Sequence, residues 1–146
     1  MLLSGLGADE QLGGYARHHG RFLTRSYPGL IHELALDVDR LPYRNLGRDD
    51  RIMADHGREV RFPFLDEEVM SLWSSLPVWR KCDLRLSKGI GDKLLLRRIA
   101  DRVGLHSVAL EAKRAVQFGS RTAKMLDEDK HLKGADTAVA DAAVRN

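Results

Sequence analysis

The sequence predicts a mainly α-helical chain with one short N-terminal strand, as expected for the later part of a larger α/β unit. Three observations lead there. The only run with strand character is "MLLS" at the start, cut off by Gly5. Downstream, apolar residues recur at helical spacing, punctuated by Pro28, Pro42, Pro63 and Pro77. A strand of this length is not stable alone, so its neighbours are expected outside this polypeptide.

"MLLS" reads as a buried strand. From Pro28, acceptable at a helix start, Leu30, Ile31, Leu34, Val38 and Leu41 follow helical spacing until Pro42 interrupts them. A second helical stretch runs through "RNLGRDDRIMADHG" and stops at Gly57. In "REVRFPFLDEEV", Phe62 is pushed towards extended backbone by Pro63, and Asp66 is placed to cap the next helix. That helix is expected to bury Leu65, Val69, Leu72, Trp73 and Leu76 on one face and to end at Pro77. Trp73 and Leu76 should pack on a helix over 94–99. "LSKGIG" reads as a loop, "DKLLLRRIADRVG" as a helix stopped by Gly104, and "SVALEAKR" as a short helix. "AVQFGSRTAKM" follows, and residues 127–146 read as a disordered tail behind a domain over 1–126.

The 146 residues suffice for one domain, and 43% hydrophobic with 31% charged content is ordinary for a globular chain. A formal charge of +3 demands no polyanion partner. Eight basic residues nevertheless fall between Arg80 and Arg102 against three acids. That stretch can face phosphates or form a solvated helix face. Aromatics are not interleaved with it, which argues against nucleic acid as a partner. Cys82 is the sole cysteine, so an internal disulfide is excluded. No apolar run reaches the roughly 18 residues of a membrane helix, and the start lacks a basic signal-peptide region. A cytoplasmic location with no membrane partner is the expectation.

The peptide "SGLGADEQLGGY" (4–15) poses the chemical question. Gly5 and Gly7 sit where a strand hands over to a helix, a junction whose amides suit an anion. Asp9 and Glu10 repel one. Both acids suit the start of a helix dipole, and that reading leaves Gly13-Gly14 unexplained. A second reading places Mg²⁺ on Asp9, bridging to phosphate oxygens, since Mg²⁺ takes only one or two protein carboxylates. No Walker-type GxxxxGK[ST] loop is present.

Four blocks in order resemble the asparagine synthetase family. "SGLGADEQLGGY" is similar to its SG-x-G-x-DE-x-x-GGY motif, and "DRIMADHGREVRFPFLD" (50–66) to its DR…EVR-x-PFLD block. "KLLLR" (93–97) is similar to K-x-LLR, and "KRAVQFGS" (113–120) to the family's basic closing loop. The resemblance implies an α/β PP-loop synthetase fold of which this is the C-terminal part. It also implies ATP-dependent activation of the aspartate carboxylate as an acyl-adenylate, amidated by ammonia from glutamine. By the same resemblance Ser4, Gly5 and Gly7 line ATP, Asp9 holds Mg²⁺ on pyrophosphate, and Glu10 supports the loop. Lys113 and Arg114 offer charge to the phosphates or the adenylate.

Three departures qualify that expectation. The family's SGG-x-DS pyrophosphate loop and its amidotransferase domain are absent from the sequence. Leu6 also stands where asparagine synthetases often carry glutamate, and leucine cannot act as a general base. The expected partners are aspartate, ATP and either the missing N-terminal half or another protein. A non-catalytic helical interaction module derived from the same fold is the competing reading. For Glu59, Arg61 and Asp66 a capping and pairing role outweighs a polar cluster behind the site. Asp50-Arg51 reads as an ion pair, and His56 as surface.

Overall fold

The computed structural model describes residues 1–114; the expectations for residues 115–126 and for the tail at 127–146 fall outside them. The chain divides into a unit over Met1–Ala112 and a second beginning at Lys113. In the first, strand β1 (Leu2–Leu3) leads into a short helix α1 (Ala8–Gln11) and the long α2 (Ala16–Arg40). A π-helical turn over Pro42–Leu46 precedes α3 (Gly47–Asp55), strand β2 (Val60–Arg61) and a 3₁₀ turn over Pro63–Leu65. Helices α4 (Glu67–Ser75), α5 (Val78–Lys81), α6 (Leu94–Arg102) and α7 (His106–Leu110) follow. Among the described residues no helix is long and apolar enough to cross a membrane.

The mainly helical expectation holds, with one strand added. β1 pairs in parallel with β2, Leu2 opposite Val60 and Leu3 opposite Arg61, through Leu2 N to Glu59 O (2.8 Å) and Ser4 N to Arg61 O (2.9 Å). The alternation of "EVRF" is the strand signal that the single-strand expectation passed over. β1 is also exposed rather than buried, with Leu2 at 45% and Leu3 at 66%. Its outer edge carries no partner strand among the described residues.

Helix α2 is in effect a helical hairpin. Ser26 has φ 53° and ψ −154°, a non-helical corner just before Pro28. Arg17, His18 and Arg21 of the first half contact Glu33 and Asp37 of the second. A straight helix would hold residues 18 and 37 about 28 Å apart, so the halves must fold back on each other. The second half is the helix expected from Pro28. The first half was not anticipated, because "ARHHGRFLTR" has little apolar periodicity and is held by charge.

Leu30 and Leu34 join Val78, Cys82 and Leu84 in the core, with Phe22 and Tyr27 packed against it. Asp66 caps α4 as expected, accepting from the amides of Glu68 (3.0 Å) and Val69 (3.4 Å). The predicted apolar face of α4 is narrower than its periodicity suggested: Trp73 is buried but Leu72 is 55% exposed. Trp73 and Leu76 do not seat on the helix over 94–99. They border a cavity of about 590 Å³ with Ile31, Leu34 and Val38 of α2, whereas α6 packs on α5 and α7. Gly57 and Gly104 both have positive φ at the predicted stops. "SVALEAKR" is helical only to Leu110, because Glu111 turns to extended backbone. His56 is exposed as expected. Asp50 and Arg51 are both exposed, and the pair formed here is Arg48–Asp49 at 2.8 Å.

Candidate functional site

The loop from β1 to α1 is built by local hydrogen bonds. Ser4 Oγ accepts from the Leu6 amide (3.3 Å), and Gly7 turns at φ 96°, its amide donating to Glu10 Oε2 (3.1 Å). A side chain at Gly7 would strike Leu65, its Cβ 2.4 Å from Cδ2. At Gly5 a Cβ would meet nothing within 4 Å, so the backbone there is open to a ligand. Glu10 is buried and supports the loop as expected: Tyr15 donates its hydroxyl to Oε1, and Asn45 Nδ2 reaches the same oxygen at 3.4 Å. Burial and the Glu10 hydrogen bond both raise the Tyr15 pKa, which keeps the phenol protonated and donating.

Asp9 is partly buried, and its Oδ1 lies 3.1 Å from Lys93 Nζ. Its backbone carbonyl accepts from the Gly14 amide (2.9 Å), and a Cβ at Gly14 would fall 2.9 Å from Asp9 Cα. Gly13, at φ 74°, lies against Cys82 Sγ in the same way. The glycine pair left over by the dipole reading thus lets this turn close onto Asp9 and the core. A cation does sit among the acids, and it is a lysine that sequence reasoning left unassigned.

Three of the four sequence blocks meet at this loop. Gln11 Nε2 donates to Phe64 O (2.7 Å), joining the first block to the second. The Lys93 amide donates to Leu12 O (3.0 Å), which with the Asp9 contact joins the first block to "KLLLR". At the other end of that block Arg97 pairs with Asp92 (3.0 Å) and donates to the carbonyls of Ala109 (2.9 Å) and Glu111 (2.8 Å). Burial would raise the Asp92 carboxyl, but the Gly89 amide and Arg97 outweigh it and hold the pKa low. Lys113, half-buried, and Arg114, exposed, open the second unit. Arg61 pairs with Glu59 at the surface while Asp66 caps α4, so that trio forms no cluster behind the loop.

Three of the eight basic residues at 80–102 are spent on carboxylates: Arg85 on Asp83, Lys93 on Asp9 and Arg97 on Asp92. The stretch is therefore no continuous cationic stripe. One carboxylate beside glycine amides suits magnesium's habit of taking few protein ligands and completing its shell with water and phosphate. Among the described residues no group of three or more His, Cys, Asp or Glu side chains converges on a metal position. The described residues thus offer one carboxylate at the loop and no cage made of protein alone.

Beside the loop lies a network the sequence reading did not find. His18 is fully buried; its Nε2 meets Asp37 Oδ2 at 2.7 Å, and its Nδ1 accepts from the Tyr15 amide at 3.3 Å. With Nδ1 an acceptor, Nε2 carries the proton and the ring is neutral. Burial lowers its pKa below 6.5, outweighing the Asp37 hydrogen bond. The signal was Asp37 itself, a carboxylate in helical register with Leu30, Leu34 and Leu41 that burial obliges to find a donor. The sign follows from protons bound: below pH 6.5 the unfolded chain takes up a proton on this residue that the folded chain refuses. His18's contribution to stability is thus complete above pH 6.5 and falls as the pH drops below it. Urea midpoints at pH 7.5 and 5.5 should differ in that direction, and by less in His18→Gln.

The converging blocks define an asparagine synthase-type domain. A family model for asparagine synthase matches residues 22–145, and the chain belongs to that family. It is 56% identical over 125 residues to asparagine synthetase domain-containing protein 1 of Mus musculus, covering 86% of this chain and 20% of the relative. Identity to the Homo sapiens protein of the same name is also 56%, covering 86% and 19%. A putative asparagine synthetase [glutamine-hydrolyzing] 1 from Methanocaldococcus jannaschii is 33% identical over 86% of this chain and 28% of its own length. The chain thus spans about a fifth of the two mammalian relatives. No solved structure gives a significant match. The family match begins at residue 22, beyond the opening loop, so the geometry of residues 4–15 stands on its own.

Proposed function

We propose that this chain is the C-terminal part of a PP-loop synthetase domain and forms one wall of an adenylation cleft. The reaction class is ATP-dependent activation of the aspartate carboxylate: its oxygen attacks the α-phosphorus of ATP, pyrophosphate leaves, and ammonia then displaces AMP to form the amide. The observation that carries the reading is the meeting of three family blocks at one glycine-acid loop, with an open backbone at Gly5 and a cation beside Asp9. Ser4 and Gly5 line the nucleotide, and the buried Gly7 sets the turn that presents them rather than touching it. Asp9 would hold Mg²⁺, which when bound neutralises the leaving pyrophosphate. Lys93 shares the Asp9 carboxylate and fixes its orientation. The resemblance of residues 113–120 to the family's basic closing loop assigns to Lys113 and Arg114 the positive charge for the phosphates or the adenylate. Leu6 supplies no general base, so adenylation is better provided for than amidation.

The opposite wall comes from a strand-bearing segment that completes the sheet at β1. Parallel sheets are normally covered on both faces, and edge strands are normally blunted by charge or proline. β2 has both protections, in Glu59, Arg61 and Pro63, whereas "MLLS" has neither. This unprotected edge also favours the second reading, a module that works by docking. Mg²⁺-ATP titration separates the two. Thermal protection that saturates at millimolar nucleotide and disappears in Asp9→Ala is the expected result. Protection that survives in Asp9→Ala refutes the placement of the metal, and an absence of protection leaves the docking module. By family the location is cytoplasmic.

A further inference from the structure

Beside the opening loop, and separate from its Gly5 face, is a polar pocket of about 210 Å³ at the end of the α2 hairpin. Three arginines from three places in the chain line it: Arg17 from the first half of α2, Arg40 from its last turn, and Arg44 from the π-helical turn. Their pairing differs. Arg17 is committed to Asp37 and Glu33 and stacks 4.2 Å over the Tyr15 ring. The side chains of Arg40 and Arg44 make no hydrogen bond or ion pair among the described residues.

The pocket's two carboxylates do not answer those charges. Asp37 is taken by His18 and Arg17, while Glu10 is held by the Gly7 amide, the Tyr15 hydroxyl and Asn45. Arg40 alone has an ordinary explanation, since a cation suits the last turn of a helix. Arg44 lies beyond that turn yet lines the same cavity. Two guanidinium groups without carboxylates, at a polar pocket well under the roughly 300 Å³ of a drug-sized site, match a small ligand of opposite charge.

The geometry points to a small-oxyanion site, for a phosphate or carboxylate group, held by Arg40 and Arg44 over a floor of Glu10, Tyr15 and Asn45. Guanidinium forks recognise both kinds of oxyanion by paired hydrogen bonds, and Arg44 and Arg40 contribute both charge and directed donors. Glu10 and Asp37 exclude a ligand of high negative charge, so a single phosphate or carboxylate group is preferred over a polyphosphate. This site does not rest on the adenylation reading, because none of the residues expected to touch ATP or Mg²⁺ lines it.

The test is calorimetric titration of the 146-residue chain with inorganic phosphate and, separately, malonate, at fixed ionic strength with chloride as the balancing anion. Saturable binding of either probe, about tenfold weaker in the Arg40→Gln, Arg44→Gln double variant, supports the site, and the better probe identifies the ligand's source. Both arginines are exposed, so the double variant should keep the parent's circular dichroism and melting temperature. Arg44→Lys, which retains charge without the fork, should fall between the two. Binding that is unsaturable, or equal in the parent and the double variant, overturns the proposal. Failure of ATP protection alone leaves the pocket untouched.

Discussion

Asp37→Ala should lower the unfolding free energy by about 3 kcal/mol or more, a large part of what a domain of this size has to lose. The substitution strands the buried Nε2–H of His18 and leaves Arg17 only its longer contact to Glu33, removing two of the contacts that hold the halves of α2 against each other around Ser26. Arg21–Glu33 at 3.0 Å would remain, but Arg21 is half exposed and such a pair contributes little. Asp37→Asn keeps an acceptor for His18 and should lose less. Urea denaturation of the two variants checks this. A loss below 1 kcal/mol in the alanine variant would show that the hairpin is held by Leu30 and Leu34 rather than by its charges.

The second large effect is expected at Gly91. A Cβ there would sit 1.9 Å from the carbonyl oxygen of Asp83, a backbone atom that cannot swing aside as a side chain can. Asp83 and Gly91 are also joined by Asp83 N to Gly91 O at 3.0 Å, so the loop between α5 and α6 must open to admit a methyl group. Cys82 and Leu84, both buried, are set at its near end, and Asp92 and Lys93 at its far end. Gly91→Ala should therefore cost about 3 kcal/mol or more, by the ordinary scale of overpacking a site without slack. Gly57→Ala is the control: its φ is +62° but nothing lies within 4 Å, and about 1 kcal/mol is expected. Equal losses at both positions would mean that conformation, not collision, sets the cost.

Where a residue's neighbours lie close along the chain, the sequence was legible. Asp66 ahead of Glu67 and Glu68 announces a cap, and Gly57 and Gly104 announce stops, because each acts within one turn. The β1–α1 loop was readable for the same reason, down to the supporting role of Glu10. What escaped depends on distant partners. The alternation in "EVRF" becomes a strand only because Leu2 pairs with it, 58 residues away in the register Leu2–Val60. Lys93 and Asp9 are an ordinary lysine and an ordinary aspartate until the fold sets them 3.1 Å apart. Leu72 shows the opposite error: its helical register was right, but among the described residues no element covers that side of α4, and periodicity cannot say how wide a face will be covered.

The seat of Cys82 makes the opening loop observable without any added probe. Its thiol lies 2.8 Å from where a Cβ on Gly13 would be, is fully buried, and has its pKa pushed up to about 11 by that burial. An alkylating reagent can reach the sulfur only after part of its cover, the glycine turn or the core side chains around it, has lifted off it. As the only cysteine in the chain, it turns mass-spectrometric labelling kinetics into a clock for that lifting. Any molecule that clamps the first turn slows the clock, whichever chemistry it belongs to.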